Sequence, residues 1–208
     1  MSNALKTERR SRTSPIGSKI HIMGDSCAGK STLGKRLAQA LDVDFVDMDA
    51  INWLPDWVAL NQVDPDEFER RLHEATAADG WVVPGSYTRH SQNVFWPRVD
   101  TVVWLDLSLP LLLRRLIARS WRRWRTKELL WGTNYESFWP QLMVWRKDKS
   151  LVWWLVTQYK RKRRQLIQFM SDPRWTHIRF IRLTSPDEIE QWIRQVEQRV
   201  REAKGSSN

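Results

Sequence analysis

The sequence predicts an α/β fold in which helices cover both faces of a parallel β-sheet. Two observations lead to this prediction. Short apolar segments alternate along the chain with longer segments whose apolar residues recur at helical spacing. The first apolar segment also runs through a glycine-rich turn directly into a helical pattern. Strands that alternate with helices are typical of a parallel sheet, because parallel strands need long crossover connections.

The first predicted elements frame the glycine-rich turn. Residues 18–23 alternate apolar with polar side chains and end at Gly24, which predicts a short strand. From Lys30 to Leu41 the apolar residues share one helical face, which predicts an amphipathic helix that begins inside the turn. The other predicted strands are residues 44–48, 81–84, 101–107 and 176–183. The other predicted helices are residues 65–78, capped by Asp64, and residues 185–202.

Length and composition predict one domain. The chain has 208 residues, of which 41% are hydrophobic, enough to fill a single core. We expect this domain over residues 18–203, preceded by a disordered basic tail over residues 1–17. Every apolar stretch is shorter than the roughly 18 residues of a membrane-spanning helix, so we expect no span. The single cysteine, Cys27, excludes an internal disulfide and suits a cytoplasmic location.

The formal net charge of +10 is concentrated in the second half of the chain. Between Pro110 and Leu183 the pattern is largely helical, with weak breaks near residues 132–134 and 171–173, and cations far outnumber acids. The acids in this part are Glu128, Glu136, Asp148 and Asp172. Such a field attracts polyanions, which include nucleotide phosphates, nucleic acid and an anionic membrane surface.

A complete phosphate-loop motif lies between the first strand and the first helix. Residues 24–31 fit the pattern G-x-x-x-x-G-K-[ST]. Gly24 and Gly29 let the backbone wrap an anion with its N–H groups pointing inward. Lys30 is placed to bridge the β- and γ-phosphates, and the Ser31 hydroxyl is a candidate Mg²⁺ ligand. We predict that ATP or GTP binds to Gly24, Asp25, Ser26, Cys27, Ala28, Gly29, Lys30, Ser31 and Thr32.

Two carboxylates follow the second predicted strand, at the edge where ligands of open α/β sheets bind. Asp47 is interpreted as holding the hydrated Mg²⁺. Asp49 is interpreted as a ligand of the acceptor or as the base for its attacking hydroxyl. The alternative for both residues is a pair of solvated loop acids.

Further candidate residues follow the later strands. Gly85 lets the backbone approach a ligand, and Arg89 is a candidate ligand of the acceptor or of the γ-phosphate. Arg115 and Arg119 stand four residues apart on one helix face, where they can neutralise charge on a transferred phosphoryl group. The alternative for the arginines is a solvated basic face.

The chain contains 14 tryptophans, several times the usual share. Between Trp121 and Trp154 they are interleaved with arginines. We interpret most of these tryptophans as core and the basic run at residues 160–164 as an exposed helix face. Two alternatives stay open: a stacking surface for single-stranded nucleic acid, and a pair of helices lying on an anionic membrane.

Several segments together carry a family resemblance. They are GDSCAGKST, FVDMDAINWLPDW, PGSYTR, TVVWLDL and the arginine-rich helix that follows. Over residues 20–199 the chain resembles the adenylate-kinase-like topology modulation proteins. The resemblance implies the P-loop NTPase fold of nucleoside monophosphate kinases, a five-stranded parallel sheet flanked by helices, with a helical lid near residues 119–131. It also implies that Arg115 and Arg119, which match R-[LI]-x-x-R, grip phosphates from the lid helix.

The segment FVDMD is in addition similar to the F-x-D-x-D of shikimate and gluconate kinases, which implies a hydroxyl acceptor. The chain departs from the family in one turn, where Pro84 precedes Gly85 and the family commonly has aspartate. Asp47 or Asp106 would then take over the Mg²⁺ duty of that carboxylate. A nucleoside monophosphate site of adenylate kinase type is not recognisable, so adenylate kinase activity does not follow.

These observations lead to three functional hypotheses. The first is a kinase that transfers the γ-phosphoryl group to a small acceptor. The second is a nucleotide-gated nucleic-acid-binding protein, and the third is a peripheral membrane ATPase. The acceptor, the preference for ATP or GTP and the oligomeric state depend on pocket and surface shape, which the sequence does not reveal.

Overall fold

A five-stranded parallel sheet forms the centre of the structure, a computed structural model that describes residues 16–135 and 150–205. The strand order is β2-β5-β1-β6-β9. These strands are Lys19–Gly24 (β1), Asp44–Phe45 (β2), Trp81–Pro84 (β5), Thr101–Leu105 (β6) and Arg179–Leu183 (β9). Two antiparallel hairpins stand apart from the sheet: Trp53–Leu54 (β3) with Val58–Ala59 (β4), and Leu129–Leu130 (β7) with Asn134–Tyr135 (β8).

Helices flank the sheet, as the alternating pattern predicts. They are Lys30–Leu41 (α1), Met48–Asn52 (α2), Leu60–Val63 (α3), Pro65–Ala75 (α4), Thr88–Val94 (α5), Leu109–Thr126 (α6), Leu151–Met170 (α7) and Pro186–Gly205 (α8). Short 3₁₀ turns cover Pro55–Trp57, Trp96–Arg98 and Pro173–Trp175. The predicted α/β fold with a phosphate loop between β1 and α1 is therefore confirmed. Among the described residues, no helix is both long and apolar enough to cross a membrane.

The register of the sheet brings the loops after its strands to one edge. β1 lies between β5 and β6, with Ile22 opposite Pro84 and Gly24 opposite Leu105. All these strands run in the same direction, so the phosphate loop, the turn after β5 and Asp106 after β6 meet at their carboxyl ends. This edge is where open α/β sheets bind ligands.

Alternate residues of each central strand supply two hydrophobic cores, one on each face of the sheet. Ile20 and Ile22 pack with the leucines of α1 and α6 and with Ile193, Val196 and Val200 of α8 on one face. Met23 packs with residues of α4, α7 and the turn after α5 on the other face. Helix α7 contributes to both cores, through Leu155 to the first and Leu166 to the second. This packing places α7 beside the carboxyl edge of the sheet.

Most predicted elements are confirmed, with corrections at their ends. The strand predicted over residues 44–48 ends at Phe45, because Asp47 caps a helix that begins at Met48. The helix after Asp64 ends at Ala75, and the last strand covers only residues 179–183. The long helical stretch is interrupted by the β7–β8 hairpin. Apart from residues 16 and 17, the predicted basic tail lies outside the described residues.

The interpretation that most tryptophans between residues 121 and 154 are core is wrong for those that the structure describes. Trp121 is 46% exposed and Trp124 is 41% exposed, and Trp153 and Trp154 are also exposed. The buried faces of α6 and α7 are filled by leucines instead, which leaves the tryptophans on the other faces. Trp139 and Trp145 lie outside the described residues. Buried tryptophans occur elsewhere, at residues 81, 96 and 104.

His21 is fully buried in β1 between two hydrogen-bonding partners. Its Nδ1 accepts a hydrogen bond from Trp96 Nε1 at 2.9 Å, and its Nε2 lies 3.2 Å from the Gly85 carbonyl oxygen. This arrangement requires a neutral ring that carries its proton on Nε2. Burial lowers the pKa of His21 from 6.5 to about 3.

Acidification is expected to destabilise the fold through His21. The unfolded chain binds a proton at His21 below about pH 6.5, whereas the folded chain does not until about pH 3, so stability falls between these values. The free energy of unfolding should fall by about 2 kcal/mol from this residue between about pH 7.5 and pH 5. Urea unfolding of the wild type and of His21→Gln at both pH values measures the difference. Equal losses in the two proteins would contradict the expectation.

Candidate functional site

The phosphate loop has the backbone shape that its glycines predict. Gly24 has φ +149°, and a Cβ there would lie 2.9 Å from the Leu105 carbonyl oxygen. Gly29 has φ +97°, in the region that favours glycine. Cys27 also has a positive φ of 64°, a conformation that is uncommon for residues other than glycine. The loop then enters α1 at Lys30.

Lys30 lies inside the loop. Its Nζ donates hydrogen bonds to the carbonyl oxygens of Gly24 at 3.0 Å and of Asp25 at 2.9 Å. Burial lowers the pKa of Lys30, and the negative charges of Asp49 and Asp25 act against that shift. The ammonium group is therefore held at the mouth of the loop within the field of two carboxylates. Ser31 and Thr32 follow in the first turn of α1, where both are exposed.

Asp49 is oriented by a tyrosine. The Tyr87 hydroxyl, from the turn between β5 and α5, donates a hydrogen bond to Asp49 Oδ1 at 2.7 Å. Burial raises the pKa of Tyr87, and the Asp49 charge raises it further. Burial lowers the pKa of Lys162 to about 8, and the Asp49 charge acts against that shift as it does for Lys30, so both cations lie within its field. The predicted base is thus placed with the loop lysine, and Tyr87 is a partner that the sequence did not single out.

Asp47 caps the short helix α2. Its Oδ1 accepts hydrogen bonds from the backbone N–H groups of Asp49 at 3.0 Å and Ala50 at 3.4 Å. Burial raises the pKa of Asp47, and the neighbouring Asp49 charge raises it further. The two carboxylates therefore lie close enough to repel one another.

Gly85 is fitted against Met48 rather than exposed to a ligand. It is buried, and an added Cβ would lie 2.9 Å from Met48 Cβ and still closer to the Met48 sulfur. The glycine therefore lets α2 pack onto the turn after β5. Arg89 is exposed on α5, and no hydrogen bond or ion pair to it is seen within the described residues.

Gly85→Ala is expected to destabilise the protein by about 1–3 kcal/mol, because the extra methyl group overpacks the contact with Met48. Urea unfolding measures this change. Gly132→Ala is not a matched control, because Gly132 has a φ of +77°, which alanine disfavours. Gly205→Ala is the better control, because a Cβ added at Gly205 would have no atom within 4 Å and should change stability little. A Gly85→Ala protein as stable as Gly205→Ala would show that Met48 adjusts without cost.

Arg115 and Arg119 both approach the phosphate loop from α6. Arg115 Nη1 lies 3.5 Å from the Cys27 carbonyl oxygen and 3.4 Å from that of Ala28, to which it donates. The charge of Arg119 lowers the pKa of Lys30, which places the guanidinium near the loop. Arg119 Nε is buried and has no hydrogen-bond partner among residues 16–135 and 150–205. Among the described residues, Arg115 is therefore engaged by the loop backbone, whereas Arg119 Nε is not.

Helix α7 supplies a second set of charged groups, from the basic run at residues 160–164 that the sequence analysis interprets as an exposed helix face. Lys162 Nζ lies 3.8 Å from Asp25 Oδ1. The next residue, Arg163, donates through Nε to Asp106 Oδ2 at 3.1 Å, and Arg182 of β9 donates to the same oxygen at 2.8 Å. Two members of the basic run at residues 160–164 thus face the sheet edge. The position of Lys162 could have been predicted from its spacing to Leu155 and Leu166, which places it on the same helical face as these two buried leucines.

A small, open cavity lies between the phosphate loop and α7. The turn after β5 contributes Ser86, whose Oγ donates to the Gly24 carbonyl oxygen at 2.7 Å. The polar and charged lining residues are Asp25, Ser86, Thr88, Asp106, Lys162, Arg163 and Gln165. The cavity therefore borders both the phosphate loop and the polar side chains of α7, alongside the apolar Met23, Trp104 and Leu166.

Comparisons with known proteins point to kinases. The model of the shikimate kinase family matches residues 26–52, which contain the loop and the two carboxylates. A shikimate kinase from Rippkaea orientalis (strain PCC 8801 / RF-1) is 32% identical over 111 residues, covering 49% of this chain and 59% of that protein. The uncharacterized protein YqaC of Bacillus subtilis (strain 168) is 29% identical over 117 residues, covering 56% of this chain and 65% of that protein. The matched region thus spans less than two thirds of either relative.

Solved structures give similar chains at lower identity. A shikimate kinase from Acinetobacter baumannii in complex with shikimate is 18% identical, with a TM-score of 0.46, over 91% of this chain and 95% of that one. A gluconokinase from Sinorhizobium meliloti 1021 is 17% identical, with a TM-score of 0.45 and the same coverage. These matches do not confirm the predicted membership of the topology modulation protein family.

Proposed function

We propose that the protein is a phosphotransferase that moves the γ-phosphoryl group of ATP or GTP to a hydroxyl of a small acceptor. The observation that carries this proposal is the placement of Asp49, held by Tyr87, in the same field as Lys30 of a complete phosphate loop. A carboxylate beside a nucleotide loop is what transfer to a hydroxyl requires. The match of residues 26–52 to the shikimate kinase family supports the same reaction class.

In the proposed transfer, the acceptor oxygen forms a bond to the γ-phosphorus as the bond from that phosphorus to the β–γ bridging oxygen breaks. The acceptor proton passes to the Asp49 carboxylate and then to solvent, and the nucleoside diphosphate leaves. Tyr87 keeps the Asp49 carboxylate in one orientation by donating to Oδ1, which leaves Oδ2 for the acceptor hydroxyl.

Two cations neutralise the charge that develops during transfer, and a third supports the loop that holds the phosphates. Lys30 bridges the β- and γ-phosphates once they replace the carbonyl oxygens of the loop as its partners. Arg119, with a buried Nε, donates to the γ-phosphoryl oxygens. Arg115 supports the loop backbone through the carbonyl oxygens of Cys27 and Ala28 and so acts on the phosphates indirectly.

The residues present fit a magnesium ion. Ser31 offers an exposed hydroxyl directly after Lys30, and Asp47 offers a carboxylate whose repulsion with Asp49 a cation would relieve. These two residues would hold Mg²⁺, and Asp47 would do so through a water molecule bound to the ion. When bound with the triphosphate, Mg²⁺ supplies neutralisation of the β- and γ-phosphate oxygens.

The acceptor is proposed to lie between Asp49 and the cavity beside α7. Gly85 contributes by placing the turn after β5, and Arg89 would contribute only if α5 moves toward the site, since it is exposed. A lid role for residues 119–131 fits the position of Arg119 at the loop. The nucleic-acid alternative finds no support among the relatives described above.

The proposal is tested by ATP and GTP consumption with Mg²⁺, with and without a pool of small hydroxyl compounds. We expect one or more compounds to accelerate nucleotide consumption and to gain the mass of one phosphoryl group. Tight nucleotide binding with no acceleration by any compound in the pool would contradict a kinase that acts on small hydroxyl acceptors.

A further inference from the structure

The cavity beside α7 contains an acid that a phosphate-binding loop does not need. Asp25 is the first residue after Gly24 and belongs to the loop itself. A carboxylate beside bound phosphates is electrostatically unfavourable, so its presence calls for another role. Its side chain is only 12% exposed, and Oδ1 is buried without a hydrogen-bond partner among the described residues. Burial raises the pKa of Asp25, whereas Lys162 and Lys30 lower it.

Lys162 faces this carboxylate from α7. Its Nζ is 3.8 Å from Asp25 Oδ1, which is close enough for an ion pair but too long for a hydrogen bond. The ammonium group also lies 3.9 Å above the centre of the Trp154 ring, which holds it in place through a cation–π contact. No hydrogen bond to Lys162 is found in the described parts of the chain. Lys162 and Asp25 Oδ1 are thus paired at a distance that leaves their hydrogen-bonding capacity unused among the described residues.

We propose that Asp25 and Lys162 together bind one hydroxyl group of the acceptor, as a pair that determines specificity. The inference rests on the proposed function. A hydroxyl donates one hydrogen bond and accepts others, so it can donate to Asp25 Oδ1 while it accepts from Lys162 Nζ. An oxygen about 2.8 Å from both atoms spans a gap of 3.8 Å without strain.

The charges around the cavity favour a neutral hydroxyl over a carboxylate at this point. Arg163 and Arg182 both donate to Asp106, whereas Asp25 and Lys162 face one another. A ligand carboxylate would meet Lys162 and, at a similar distance, the charge of Asp25. Its attraction to one would be offset by repulsion from the other.

This hydroxyl is distinct from the one that attacks the phosphorus. Asp49 and Tyr87 do not line the cavity, whereas Asp25 and Lys162 do. The acceptor is therefore held at two separate points, the reacting hydroxyl at Asp49 and a second hydroxyl at Asp25 and Lys162. The inferred acceptor class is a neutral polyhydroxylated compound, uncharged at the end that faces α7.

The test uses binding, so that it does not depend on turnover. Sorbitol, myo-inositol and gluconate are titrated into the full-length protein with Mg²⁺ and a non-hydrolysable ATP analogue, and binding is followed by ligand-detected NMR. We expect at least one neutral polyol to bind more tightly than gluconate. Asp25→Asn and Lys162→Met should each weaken that binding by about tenfold or more, because each removes a hydrogen bond to a charged group.

The double variant and a surface control separate this role from a structural one. Because both residues bind one hydroxyl, Asp25→Asn with Lys162→Met should weaken binding no more than the stronger single variant does. Lys160→Met, exposed on the same helix, should leave binding unchanged. For a polyol that is also phosphorylated, the single variants should raise KM with little change in kcat.

Three results would overturn the inference. They are the absence of binding by either neutral polyol, tighter binding of gluconate, and binding that is unchanged in both single variants. If one of these three results were found together with phosphoryl transfer to an acidic acceptor, the inference would be wrong but the proposed function would still hold. Polyol binding that depends on Asp25 and Lys162 without any phosphoryl transfer would instead contradict the proposed function.

Discussion

Replacing Lys30 with methionine is expected to lower kcat for phosphoryl transfer by about 10²–10³-fold. The ammonium group lies within the loop and is the cation best placed to follow charge onto the β–γ bridging oxygen. Stability should hardly change, because burial already lowers the pKa of Lys30 and methionine removes the cost of burying its charge. Acceptor-dependent nucleotide turnover and urea unfolding, measured on the same preparation, check both parts.

Lys35→Met is the matched control for Lys30→Met. Lys35 lies on the same helix but is exposed and contacts the Phe45 ring from 5.7 Å. It should retain wild-type turnover. A Lys30→Met protein with full kcat would show that the loop lysine does not take part in transfer.

Asp49→Asn is expected to lower kcat by about 10²–10⁴-fold, the usual range for loss of a general base. The amide keeps the shape of the side chain and still accepts a hydrogen bond from Tyr87, but it cannot take the acceptor proton. Tyr87→Phe should have a smaller effect, since the base remains and only its orientation is released. Steady-state kinetics with a saturating acceptor separates kcat from KM.

Asp44→Asn is the control for Asp49→Asn, because Asp44 is an exposed acid at the start of β2. It should behave as the wild type. If Asp49→Asn raised KM for the acceptor and left kcat unchanged, Asp49 would be an acceptor ligand and not the base.

The geometry of the phosphate loop was predictable because its signal is local. Gly24, Gly29 and Lys30 lie within seven consecutive residues, and their backbone angles and hydrogen bonds follow from that spacing. The central strands could be predicted equally well, since residues 81–84 form the continuous apolar run that is typical of a buried parallel strand.

The role of Asp47 shows where local signals compete. FVDM has the apolar character of a strand, yet aspartate is among the strongest helix N-caps, and Asp47 accepts from two backbone N–H groups of α2. Because Asp47 caps the helix that begins at Met48, the strand ends at Phe45. Gly85 was likewise assigned to ligand approach, although its contact with Met48 arises from chain segments brought together only by folding.

Lys162 could be found only through the phase of its helix. Within the run at residues 160–164 the cations look alike in sequence. Leu155 and Leu166 are buried, and Lys162, seven residues after one and four before the other, shares their face. Its partner Asp25 is 137 positions away by numbering, 162 minus 25, and only the tertiary packing of α7 on the sheet edge joins them.

The most direct test of the central claim follows the γ-phosphoryl group itself. ATP labelled in the γ-phosphate is incubated with Mg²⁺, the protein and an acceptor from the pool that accelerates nucleotide consumption. The account predicts that the label appears on an acceptor hydroxyl in equal amount to the nucleoside diphosphate formed, and that Lys30→Met and Asp49→Asn slow this transfer by at least about 10²-fold. Label recovered only as inorganic phosphate would contradict it, since the protein would then be a hydrolase rather than a phosphotransferase.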